Sequence, residues 1–124
     1  MKTLSTVAAA MLTVAVAGPA HAAAKVLVTA PISNDAGGIS CVLTNAGKKS
    51  VTVTIETIGV TLNDNVVVSN AALGPGDFIG QGDGETFGYC KFTINAAPKT
   101  VRAAACRVQS GMTVGTNFDC VPAQ

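Results

Sequence analysis

The sequence predicts an all-β protein, an immunoglobulin-like antiparallel β-sandwich of seven to eight strands, stapled by disulfides. Three observations carry that expectation. Short segments in which apolar and polar residues alternate recur along the chain, as they do in strands with one face buried and one wet. Clusters of Gly, Pro, Asn and Asp interrupt them about every 8 to 15 residues, and no stretch repeats apolar residues at helical spacing. Four cysteines, Cys41, Cys90, Cys106 and Cys120, complete the pattern, since an even number in a small exported chain reads as two disulfides.

Export itself is read from the N-terminus. Lys2 supplies a positive end, residues 7–17 are apolar apart from Thr13, and Ala20-His21-Ala22 has the small-x-small form of a cleavage site. The apolar run falls far short of the ~20 residues that span a membrane. Residues 1–22 are therefore expected to be a signal peptide and 23–124 a single β-sandwich domain, periplasmic or secreted, with no membrane span once the signal is removed.

Removing that leader decides several questions. Lys2 departs, leaving seven basic residues against seven acidic ones, and no basic cluster longer than Lys48-Lys49 is present, so nucleic acid is not an expected partner. The only histidine, His21, departs as well, and the chain has no tryptophan. Without histidine neither a Ser-His-Asp triad nor a Cys-His pair can be assembled, and the commonest nitrogen ligand of zinc, copper and iron is missing.

Along the domain, the first strand is expected over 25–30, stopped by Pro31, with a loop over 33–38. A second follows over 39–44, placing Ile39, Cys41 and Leu43 on one face. After the Asn45-Ala46-Gly47-Lys48-Lys49 turn comes the clearest strand, 50–57, where Val51, Val53 and Ile55 alternate with Thr52, Thr54 and Glu56. Val60 and Leu62 lead into an Asn63-Asp64-Asn65 turn and 66–68 leads out, a hairpin pattern. Gly74-Pro75-Gly76-Asp77 is a further turn, and Gly80-Gln81-Gly82-Asp83-Gly84-Glu85 reads as a flexible one. The last strands are expected over 86–94, over 100–108 and within 112–121.

A resemblance can be stated on Cys41-x-x-x-Asn45-x-Gly47, the Val51-Thr52-Val53-Thr54-Ile55 strand, Leu73-x-Pro75-Gly76, Tyr89-Cys90-x-Phe92 and Val101-Arg102-Ala103. In this order they resemble bacterial immunoglobulin-like or fibronectin type III-like domains, and in particular small exported bacterial proteins built on that fold. The resemblance covers residues 39 onward. It implies the sandwich and is silent on function. The chain departs from antibody domains in having no tryptophan to pack on a disulfide, and its tyrosine abuts Cys90 instead of lying two residues before it.

Four cysteines allow three pairings. Alternation puts Cys41 with Ile39 and Leu43, and Cys90 with Phe92 and Ile94, so both face inward and are expected to meet between the sheets. Val101, Ala103 and Ala105 define the inner face of the later strand, which turns Cys106 outward to a local partner, Cys120.

These readings lead to a non-catalytic structural or protein-binding module with no cofactor and no catalytic or metal site. Its partner class is another envelope or extracellular protein, met through edge strands or the threonine-rich face of Thr52, Thr54 and Thr57. Phe78, Phe87, Phe92 and Phe118 are expected as core residues or strand-end plugs, leaving few exposed aromatics for carbohydrate or single-stranded nucleic acid. The alternative is an acid-only or metal-assisted enzyme, or a weak calcium site, built on the turn carboxylates Asp77, Asp83 and Glu85.

Overall fold

The computed structural model describes residues 23–35, 37–59, 65–83, 86–109 and 119–124. The proposed signal peptide, the Asn63-Asp64 turn and Phe118 lie outside them. Nine strands run in chain order through the described residues: β1 (Lys25–Val28), β2 (Ile32–Ser33), β3 (Gly37–Asn45), β4 (Val51–Gly59), β5 (Asn65–Leu73), β6 (Phe78–Asp83), β7 (Phe87–Ile94), β8 (Val101–Gln109) and β9 (Cys120–Pro122). A single turn of 3₁₀ helix, Pro98–Thr100, precedes β8.

Every pairing is antiparallel. The first sheet runs β1-β7-β4-β5, with β2 also on β7, and the second runs β6-β3-β8-β9. Two antiparallel sheets joined by a bridge match the expected sandwich. The connectivity is particular to this chain. An immunoglobulin constant domain groups its last strand with the strands that β4 and β7 correspond to here, whereas β8 pairs with β3 and the place beside β7 is taken by β1.

The strand count exceeds expectation at two points. Pro31 cuts the first strand and leaves the two-residue β2 beyond it, because proline lacks the N–H a ladder needs. The larger difference is β6. Residues 80–83, read as a flexible glycine turn, are a strand whose whole length pairs with β3, from Thr44↔Phe78 to Ile39↔Asp83. Its glycines fall on the outward positions, so losing their side chains takes nothing from the core.

The core lies between the sheets where alternation placed it. Ile39, Cys41 and Leu43 of β3 face Val53 and Ile55 of β4 and Cys90, Phe92 and Ile94 of β7, all buried. Burial of a side chain such as Phe92 contributes about 1.5–3 kcal/mol. The Cys41–Cys90 disulfide joins β3 to β7 across this layer, with a Cα–Cα distance of 5.6 Å. Thr57 is also fully buried, and its hydroxyl donates to Cys41 Sγ at 3.2 Å, since a disulfide sulfur has no proton to give. Thr57 therefore belongs to the interior and not to the outward face of Thr52 and Thr54.

The sandwich is sealed on one side by hydrogen bonds that run between the sheets. At the sealed side Val28 and Gln124 exchange backbone hydrogen bonds of 3.0 and 3.1 Å, Thr29 bridges Ala123, and Arg107 Nε donates to the Ser33 carbonyl at 2.6 Å. At the other side β5 and β6 end their respective sheets.

Candidate functional site

The two outer sheet faces differ in chemistry. On the first sheet, the outward positions of β4 and β7 carry Thr52, Thr54, Glu56, Tyr89, Lys91 and Thr93, with Lys91 Nζ 2.6 Å from Glu56 Oε2. Ile58 and the exposed Val26 and Val28 of β1, Val67 of β5 and Phe87 of β7 interrupt that polar surface. This is close to what an antiparallel sheet with one wet face requires.

The second sheet breaks that rule. Its register aligns Gly82, Ser40, Cys106 and Cys120 in one outward row and Gly80, Val42, Ala104 and Pro122 in the next. Val108 extends the apolar surface at one end, while Thr44 and Arg102 supply its polar limit at the other. A trough of about 430 Å³ lies over this face, and a second of about 570 Å³, which shares Val42 as a wall, runs past the face to Leu27 and Val101 of the core. The rows carry no side chain longer than valine, and Gly80, Gly82, Ser40 and Ala104 keep them low. A Cβ added at Gly82 would meet nothing within 4 Å, and one at Gly80 would touch only Val42 Cγ1 at 3.5 Å.

The second disulfide is part of this face. Cys106 and Cys120 are directly opposite one another on β8 and β9 and are bonded, as the outward orientation of Cys106 predicted. Cys106 is nonetheless buried, covered by an exposed Cys120. The same end of β9 is held by an Arg107–Asp119 ion pair and by the Arg107 N–H donating to the Asp119 carbonyl at 2.9 Å.

Of the carboxylates considered as an alternative site, Asp77 and Asp83 are not gathered. Asp77 serves its own turn, where Oδ2 accepts the Gly74 N–H at 2.9 Å. Asp83 closes β6 at its far end, so the two lie ~20 Å apart along the strand at 3.3 Å per residue. Glu85 lies outside the described residues. Among the described residues no three His, Cys, Asp or Glu side chains are grouped as a metal site needs, and no helix is long and apolar enough to cross a membrane.

The aromatic residues divide differently from expectation. Phe92 is core, but Phe78 is 75% exposed and Phe87 is 42% exposed. Both sit at the start of a strand with the apolar ring toward water, and Phe78 lies in line with Thr44 at the β6 margin of the apolar face.

Compared with known proteins, the chain matches no family model, no curated protein and no solved structure. The function of the face therefore has to be argued from its own chemistry.

Proposed function

We propose that this protein is an exported, non-catalytic module of the immunoglobulin-like class that binds another envelope or extracellular protein through the outer face of its second sheet. The observation that carries this reading is the contrast between the middle strands of the two sheets: half-buried Val42, Ala104 and Val108 and exposed Pro122 line β3, β8 and β9, whereas β4 and β7 carry mostly threonine and charge. Contiguous apolar surface exposed by a folded domain marks a contact site. A flat, small-residue face suits a partner's side chains, which reach it without displacing anything. The two disulfides fit an oxidising compartment, either periplasmic or extracellular.

The test is paired. Ala104→Glu puts a charge at the centre of the face without entering the core, and Thr54→Glu does the same on the first sheet. Capture from the native extracytoplasmic fraction should be lost with Ala104→Glu and kept with Thr54→Glu, both variants melting near the parent. Equal capture by the two variants would overturn the assignment.

The carboxylate alternative draws less support, because β6 separates Asp77 from Asp83. Calcium titration addresses it directly. A thermal shift with calcium that disappears in Asp83→Ala would restore it in place of the binding-module reading.

A further inference from the structure

Sheet edges carry unpaired N–H and C=O groups that invite another strand, and folded proteins blunt them with proline, lysine, bulges or brevity. Three edges here are blunted. β1 is four residues long, runs into Pro31 and is bonded at Val28 to Gln124. β9 is three residues long and ends in Pro122. β5 is longer, but its pairing with β4 slips between Val53 and Ile55, where Asn70 adopts a positive φ of 52° and its N–H bonds to Thr54 Oγ1 at 3.2 Å. A bulge of this kind twists an edge away from a straight partner.

The fourth edge, β6, has none of these devices. Residues 78–83 contain no proline, no lysine and no positive φ, and their register on β3 is unbroken. Two further observations on the same strand point to what covers it. Gln81 faces inward and is only 7% exposed, yet neither Nε2 nor Oε1 of its carboxamide has a hydrogen-bond partner. On the outward face, exposed Phe78 is followed at alternate positions by Gly80 and Gly82, which leave open shelf where side chains would stand.

From these we infer that β6 pairs antiparallel with β6 of a second copy of this chain, about a two-fold axis at Gln81. A carboxamide is both donor and acceptor, so two of them satisfy each other reciprocally, which is the complementarity an isologous interface demands. Directly opposed residues of an antiparallel pair have Cβ atoms ~5 Å apart. Rotation about the three single bonds of Gln81 therefore brings its amide to that of the second copy and ends its isolation. With Gln81 opposite its own counterpart, Gly80 lies opposite Gly82 of the second copy, and each Phe78 ring lies diagonal to Gly82 of the other. An aromatic ring over a cross-strand glycine compensates for the missing side chain. No pair of like charges meets across residues 79–83, and the eight basic and seven acidic residues of the whole chain leave almost no net repulsion.

This pairing does not depend on the face-binding reading. It would place the two apolar outer faces side by side on one continuous sheet.

Sedimentation of the purified oxidised protein over a wide concentration range tests it. The parent should sediment as a dimer that dissociates on dilution, and alternate amide hydrogens of β6 should exchange more slowly in the dimer than in the diluted monomer. Gly82→Lys, which meets no neighbour within its own chain, should weaken dimerisation at least tenfold with an unchanged melting temperature at low concentration. Gln81→Leu should weaken dimerisation while raising the melting temperature of the monomer, because it removes a buried amide with no partner. A protein that stays monomeric at millimolar concentration overturns the inference, as does a dimer that both variants leave intact.

Discussion

The side chain of Asn45 reaches across the sandwich to the backbone of Leu73: Nδ2 donates to the Leu73 carbonyl at 3.1 Å, joining the end of β3 to the end of β5 in the opposite sheet. The same Nδ2 donates to the Lys49 carbonyl at 2.9 Å, and Oδ1 accepts the Gly47 N–H at 3.0 Å. Asn45 is fully buried, so its own carboxamide has no water to turn to. Asn45→Ala should cost about 3 kcal/mol, read as a fall in melting temperature of roughly 10–20 °C for a domain of this size. Asn45→Asp keeps the acceptor and loses both donor bonds, and should be destabilised nearly as much.

Two glycines should respond oppositely to alanine. A Cβ at Gly88 would run into the Ile58 carbonyl on the neighbouring strand, while a Cβ at Gly82 has open space. Gly88→Ala should lose about 1–3 kcal/mol through backbone displacement. Gly82→Ala should be neutral or gain up to about 1 kcal/mol, since glycine is disfavoured within strands. Urea denaturation of the two variants at low protein concentration separates the outcomes.

The two disulfides should differ in accessibility. Cys41 and Cys90 are both fully buried, whereas Cys120 is exposed over Cys106. Exchange requires a thiolate to reach a sulfur, so mild reductant in the native state should allow alkylation of Cys106 and Cys120 while Cys41 and Cys90 remain unlabelled until the domain unfolds. By the chain-entropy model, loops of 49 and 14 residues correspond to about 4 and about 3 kcal/mol. Replacing the Cys41–Cys90 pair with alanines should therefore be the more damaging change, and the cavity it leaves between the sheets adds to the loss.

Processing is checked by mass spectrometry of the exported protein. Small residues at Ala20 and Ala22 predict a cut before Ala23, so the first residue found should be Ala23. An intact Met1 in the exported fraction would sink the signal-peptide assignment.

Much of this architecture was legible because one physical rule governs it. In β4 the alternation of Val51, Val53 and Ile55 with Thr52, Thr54 and Glu56 is a direct record of inside and outside, and the inward cysteines of β3 and β7 follow from the same period. The rule misleads where the outer face is not wet. Val42 lies between Cys41 and Leu43, and Ala104 between Ala103 and Ala105, so the sequence there is apolar without interruption. Such runs are the mark of a sheet with apolar chemistry on both faces, and they were the signal for the candidate site. β6 was obscured by composition. Its glycines suggest a turn, whereas the ladder to β3 fixes the strand through backbone groups that leave no trace in side-chain identity. Phe78 and Phe87 were expected as core residues or strand-end plugs; they do stand at the ends of β6 and β7, but with their rings toward water.

The backbone bonds between Val28 and Gln124 tie together residues near opposite ends of the described part of the chain. Contacts so distant in sequence form slowly. A variant that loosens this seam should therefore bare the edge of β1 before it disturbs the core between the sheets.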